Sequence, residues 1–176
     1  MATIDQFKAQ LTGGGARANQ FRVTMNTPGA VATGLDARRT SFLVKAAALP
    51  GRTMGEIAIP FRGRNLYIVG DSEFDTWETT IINDTDFMVR NAMERWQNAM
   101  NDTVTNTGLI NVADYQADLI VEQLHRDDTV LKSYILRGCF PQVVAPIELS
   151  YETANAIEEF GVTWRYHHFE ASAVNF

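Results

Sequence analysis

At 176 residues the chain has room for one domain that buries roughly 70% of its unfolded surface. A hydrophobic fraction of 45% is that of an ordinary globular protein, no apolar run approaches the ~18–20 residues of a membrane span, and one cysteine excludes an intrachain disulfide or a multi-cysteine metal cluster. The net charge of −6 is unevenly spread: residues 1–70 hold nine Lys/Arg against three Asp/Glu, and residues 71–176 hold six against eighteen.

Neither half is a like-charge run, because the charges are interspersed among apolar residues with β-type spacing. A basic surface of one subunit facing an acidic surface of the next is one reading of this split, and such a head-to-tail contact closes rings or propagates filaments. Two solvated surfaces of one globule is the other. The lone Cys139 points to folding in a reducing cytoplasm. The start MATIDQFKAQ mixes Asp5, Lys8 and Gln10 with apolar residues and lacks the pattern of a signal peptide.

The whole chain, 1–176, reads as one domain with a flexible N-terminal arm at about 1–19. Gly13-Gly14-Gly15 interrupts that arm and precedes a strand, so it reads as a linker and not as a phosphate loop. Phe21, Val23 and Met25 alternate with polar residues, the period of a half-buried strand. Thr27 to Thr40 holds Pro28, Gly29 and Gly34 and reads as a loop. Strand character returns over Phe42 to Leu49 and stops at Pro50-Gly51.

Glu56 to Phe61 and Arg64 to Val69 predict a hairpin around Arg62-Gly63, where glycine permits the positive φ of a tight turn. Ile57, Ile59 and Phe61 then share a face, with Leu66 and Ile68 across from them. Gly70-Asp71-Ser72 reads as another turn, and Trp77, Thr79 and Ile81 as the inward side of a further strand. The period then lengthens. Asp84 or Thr85 is placed to cap a helix over about Asp86 to Met100, with Met88, Ala92, Met93, Trp96 and Met100 as its apolar stripe.

Asn101 to Ala113 is polar and irregular. A hairpin follows, with Ala117, Leu119 and Val121 facing one way, a turn at Arg126-Asp127-Asp128, and a return over Val130 to Arg137. Pro141 and Pro146 predict an irregular connection or edge strand. Ser150 to Glu159 reads as a loop or a turn of helix. In the closing strand Phe160, Val162, Trp164, Tyr166 and His168 fall on one face. About eight strands and one main helix predict an antiparallel β-sandwich or barrel with the helix packed on it.

The residues that carry chemistry form no active site in the sequence. His125 lies beside a turn, and His167 and His168 are adjacent and point to opposite faces of a strand, so no local metal-ligand spacing exists. Cys139 sits in an apolar setting as a buried, inert thiol. Asp71, Glu73 and Asp75, Asp84 and Asp86, and Asp127 and Asp128 occupy turns and caps, where Asp serves the backbone. No catalytic residue, cofactor or metal is expected.

Five features recur in a fixed order from Phe42 to Trp96. They are Leu49-Pro50-Gly51 after a strand, the Ile59-Pro60-Phe61-Arg62-Gly63-Arg64 hairpin, Gly70-Asp71, Trp-x-x-Thr-Ile-x-Asn-Asp over Trp77 to Asp84, and Phe-x-x-Arg-Asn-Ala over Phe87 to Ala92. Together they resemble the tail tube family of contractile-tailed bacteriophages, the T4-like tail tube family. Asn19-Gln20-Phe21 and the closing aromatic strand fit it too.

The resemblance implies a mainly β structural protein of the virion, a β-sandwich whose strands join between subunits into an inner barrel. It implies hexameric rings stacked into a hollow tube inside a contractile sheath, assembled in the host cytoplasm and conducting DNA during ejection. The implied partners are further copies of the chain, the sheath, baseplate and tail terminator proteins, and transient non-specific DNA in the lumen, with no membrane insertion. Bacteriocin tubes and other contractile injection devices share the family, and type VI secretion tubes are related to it.

On that basis Leu49, Pro50, Gly51 and Arg52 are candidate contacts to an adjacent ring. Arg22, Arg62, Gly63 and Arg64 are candidate contacts between subunits, and the lumen wall is expected to be neutral or negative so that DNA does not adhere. A small β-barrel flavin-binding protein, using Arg62 and Arg64 for a phosphate, is the alternative from another class. A nucleic-acid-binding domain ranks below it, because few aromatics interleave with the basic residues.

Overall fold

The computed structural model describes residues 3–11, 13 and 15–172. Its elements in chain order are α1 (Ile4–Gln10), β1 (Phe21–Met25), α2 (Ala37–Leu43), β2 (Val44–Ala47), β3 (Thr53–Phe61), β4 (Arg64–Glu73) and β5 (Trp77–Ile82). There follow α3 (Met88–Met100), α4 (Val112–Tyr115), β6 (Ala117–Leu124), β7 (Val130–Val144), β8 (Glu159–Arg165) and β9 (His168–Ala171). The class is mainly antiparallel β, as the alternation predicts.

β7 belongs to two layers. Its first half lies between β6 and β9, giving the order β1-β6-β7-β9. Its second half pairs with β8, giving β7-β8-β5-β2. The change of partner falls at Gly138, whose φ of +65° suits glycine: Arg137 pairs with His168 of β9, and Phe140 with Arg165 of β8. The closing strand is split at the same level. Phe160, Val162, Trp164 and Tyr166 are buried as expected, but the chain turns at His167, so Phe169 packs on the core and His168 is exposed, against the expected alternation.

The inner faces of both layers and one side of α3 share a single core. Trp96 of α3 meets Trp164 of β8 edge to face, 5.7 Å between ring centroids. Each indole N–H has an acceptor: Trp77 donates to the Ala48 carbonyl at 2.6 Å, Trp96 to the Tyr115 carbonyl at 2.6 Å and Trp164 to the Thr79 hydroxyl at 3.0 Å. That last bond explains a buried threonine between Trp77 and Ile81. The stripe on α3 is Val89, Ala92, Met93 and Trp96, with Met88 and Met100 half-buried at its ends.

Several local expectations change. Within the expected loop from Thr27 to Thr40, and into the expected strand from Phe42, Asp36 caps α2 by accepting from the N–H groups of Arg38 and Arg39, and only Val44–Ala47 is strand. Neither Asp84 nor Thr85 caps α3. Phe87 takes that place in the left-handed region, and Asp84 and Asp86 both pair with Arg39, the Asp86 contact at 2.6 Å. An arginine on α2 thereby ties it to the entry of α3. Residues 4–10 of the expected arm form α1, capped by a reciprocal Thr3–Gln6 pair; Gly14 of the linker lies outside the described residues.

Two breaks in the sequence are read through by strands. β7 passes Pro141 without stopping, because β6 begins opposite Cys139 and beyond that point β7 pairs only with β8. Gly70-Asp71-Ser72 is not a turn but part of β4. A bulge at Gly55 brings the two backbones so close there that a methyl group on Gly55 would lie 3.0 Å from the Asp71 carbonyl oxygen.

Candidate functional site

The β3–β4 hairpin forms a sheet of its own and, among the described residues, pairs with no other strand. Arg62 (φ +48°) and Gly63 (φ +82°) make its two-residue turn, which fixes the register Phe61↔Arg64, Ile59↔Leu66 and Ile57↔Ile68. Ile57, Ile59, Phe61, Leu66 and Ile68 therefore share one face, between 42% and 66% exposed. Ala58, Tyr67 and Val69 add apolar surface to the other face, and only Gly55 and Gly70 at the root are not exposed. A two-stranded ribbon is marginal in water, and a contiguous apolar stripe of this kind marks a contact surface.

Around the hairpin lie the expected contact residues. Leu49, Gly51 and Arg52 are exposed and Pro50 is half-buried in the connection that leads into β3, whose first residue is Thr53. Arg62 is in the turn and Arg64 follows it; the Arg62 guanidinium lies 5.3 Å from the Phe61 ring centroid. A methyl group on Gly63 would meet nothing within 4 Å, so the turn is an open tip and not a cradle closed around a phosphate.

Arg22 is elsewhere, on the outer face of β1-β6-β7-β9, and its partner is in the same chain: Nε donates to Glu122 at 2.8 Å. On the same face Arg137 of β7 binds Asp118 of β6 at 2.5 Å and Glu170 of β9 at 3.0 and 2.9 Å. The Arg137 guanidinium holds the Glu170 carboxyl below its ordinary range. Asp118 also accepts from the Gly138 N–H at 3.1 Å, fixing it at the point where β7 changes layers.

Among the described residues both ends of this layer lack a further strand, since β1 pairs only with β6 and β9 only with β7, although α2 lies against β1. The other layer ends in β2 and in the Pro141 stretch of β7, which lacks an N–H to give.

The chemistry-bearing residues stay apart. His125 contacts Asp127 in the β6–β7 turn and His167 contacts Gln116. Cys139 is buried, its thiol pushed up to about 12 by desolvation. Among the described residues no three His, Cys, Asp or Glu side chains are placed to hold a metal.

Residues 16–172 match the family model described as phage tail tube protein. The chain belongs to the phage tail tube protein family. The tail tube protein of Serratia phage KSP90 is 31% identical over 168 residues, which cover 94% of this chain and 95% of that one. Tail tube protein gp19 of Enterobacteria phage T4 is 29% identical over 171 residues, covering 97% of this chain and all of its own. These relatives are structural proteins and not enzymes, and a tail tube protein is a component of the virion.

Solved structures share the fold at low identity. A chain of the anti-feeding prophage baseplate, six-fold symmetrised, superposes with TM-score 0.64 at 12% identity over 92% of this chain and 98% of that one. A chain of an extracellular contractile injection system sheath–tube complex gives 0.58 at 13% over 99% and 100%.

For a tail tube protein the hairpin and the open sheet edges are the surfaces of interest, and the sequence exposed them unevenly. Ile57, Ile59, Phe61, Leu66 and Ile68 were legible as one face, but not that it lacks a cover within the subunit. The Arg137–Asp118 pair went unread although both residues are equidistant from the Asp127-Asp128 turn, the spacing that sets cross-strand neighbours.

Proposed function

We propose that six copies of this tail tube protein close a ring by continuing the layer β1-β6-β7-β9 from subunit to subunit. The rings stack into a hollow tube within a contractile sheath, and DNA passes through the bore. The observation that carries this reading is the apolar face of β3–β4, exposed in the subunit and requiring a partner. Edge geometry supports the ring: the four strands alternate in direction, so β9 of one copy meets β1 of the next antiparallel and both edges gain a ladder.

The six-fold baseplate and the sheath–tube complex of the structural neighbours support ring number and surroundings. In this arrangement the hairpin and the segment from Leu49 to Arg52 pack on adjacent copies, Arg62 and Arg64 meet carboxylates there, and the ends of the tube meet baseplate and terminator proteins. The curated relatives are phage proteins at 29–31% identity, which favours a phage tube over the tube of a bacteriocin or another injection device.

Sedimentation and negative-stain microscopy of concentrated protein test the proposal. Rings or tubes with a central hole are expected. A monomer that persists at every concentration and salt, with tail initiation complex added, refutes it.

A further inference from the structure

The outer face of β1-β6-β7-β9 has a charge arrangement that assembly alone does not require. Its ionisable groups among the described residues are Arg22, Arg137, Asp118, Glu122, Glu170 and His168, set around Ile120 and Ile135. The two guanidiniums on it are engaged to different degrees, Arg137 through all three nitrogens and Arg22 through Nε alone. Arg22 is bound by Glu122, and Arg137 is held between Asp118 on one neighbouring strand and Glu170 on the other, with three charge-assisted bonds. Lys132 belongs to the opposite side of β7, its ammonium over the Tyr134 ring at 5.3 Å. Three carboxylates thus cover two arginines, and His168 stands 4.0 Å from Glu170.

We propose that this face lines the bore and that Asp118 and Glu170 act as a mask on Arg137, engaging its Nε, Nη1 and Nη2 so that its guanidinium is not free for a passing phosphate, while Glu122 takes the Nε of Arg22. The inference rests on the ring-and-bore reading above. Among the described residues no further strand lies beyond β1 or β9, so closing this layer in a ring turns one of its faces toward the axis. The inner face is already committed to the core, and the outer face is the one left for the bore. The arginines stay useful there because each bridges strands, β1 to β6 and β6 to β7 to β9, and fixes the sheet's register.

A bare arginine at the same position would engage DNA. Each phosphate neutralised adds a salt-dependent gain of about threefold in affinity between 200 and 50 mM salt, and the ring and stack repeat it at every subunit. Masking removes that gain and keeps the cross-strand bonds. The partner class is duplex polyphosphate, and the surface is built not to hold it.

The test uses virions carrying Asp118→Asn with Glu170→Gln, triggered to eject DNA in vitro at 50 and 200 mM salt. Tubes of normal length are expected, with ejection at least threefold slower than wild type at 50 mM and the difference shrinking at 200 mM. Adding Arg137→Gln to the pair should restore the wild-type rate. Wild-type ejection by the double variant at both salts overturns masking. So does a triple variant that remains slow, because the defect is then structural.

Should the double variant not assemble, Glu170→Gln alone is measured on the same criteria, and failure of both to assemble makes the ladder a folding device and overturns the proposal. Placement of the face is tested separately with Ile135→Cys. In intact tails this thiol should react with a small maleimide and resist one carrying a bulky polymer, Cys139 being buried in both. Reaction with the bulky reagent refutes the bore assignment; protection combined with unaltered ejection refutes masking alone.

Discussion

Replacing Ile59 and Leu66 with threonine separates folding from assembly. The two residues are direct cross-strand partners on the hairpin, 42% and 60% exposed, and threonine has the β-branched shape that strands favour. Their exposed parts together equal about one aliphatic side chain, so covering them on assembly is worth about 1.5–3 kcal/mol per subunit. Two hydroxyls left unpaired in the contact cost about 1–3 kcal/mol each. In the free subunit the same change alters an exposed pair worth about 0.2–1 kcal/mol, a shift of Tm of no more than about 4 °C at this chain length.

The double variant should therefore keep its circular dichroism spectrum and nearly its Tm, while the concentration needed for tube formation rises by tenfold or more. Pelleting assays across a concentration series read the second quantity and thermal melts the first. Tubes at the wild-type threshold would remove the apolar face from the assembly contact. A loss of Tm well beyond 4 °C would show that the face is covered within its own subunit.

Three other outcomes follow from the fold. Gly138→Ala meets both a φ of +65° and a methyl contact 2.4 Å from His167 Cδ2, and should lower stability by about 1–3 kcal/mol in denaturant titration, whereas Gly29→Ala, with open space around it, should be near neutral. Asp127 has its pKa lowered to about 2, first by the Thr129 hydroxyl and then by the Thr129 N–H. Its contribution to the β6–β7 turn is therefore complete above the ordinary value of 3.8 and is lost as pH falls through about 2, and a carboxyl NMR titration should show this midpoint move back toward 3.8 in Thr129→Ala. Cys139, with its thiol pushed up to about 12, should resist iodoacetamide at pH 8 in the folded subunit and react within minutes in urea; fast labelling of native protein would place it at the surface.

Strand alternation and the tight hairpin turn, which depend on neighbours a few residues apart, were written in the sequence. The alternation of Phe21, Val23 and Met25, of Trp77, Thr79 and Ile81, and of Leu119 and Val121 determined those strands and their inner faces. Arg62-Gly63 determined the hairpin register, because a two-residue turn leaves one pairing, and the ordered motifs from Leu49 to Ala92 pointed to the family.

Decisions that rest on distant partners lay in the tertiary structure alone. Asp84 looked like a cap until Arg39, over forty residues earlier, competed for it, and Asp86 divides its carboxylate between Arg39 and the Met88 N–H. His168 kept the period of its strand but lost its burial, because β7 changes partner at Gly138 and the closing strand must follow it. Pro141 allowed an irregular connection or an edge strand, and the structure makes it an edge strand because beyond Cys139 β7 pairs only with β8. The apolar face of β3–β4 has the spacing of a core strand, yet the two layers already fill the core with Trp96, Trp164 and their neighbours, and the hairpin is left outside with its side chains exposed.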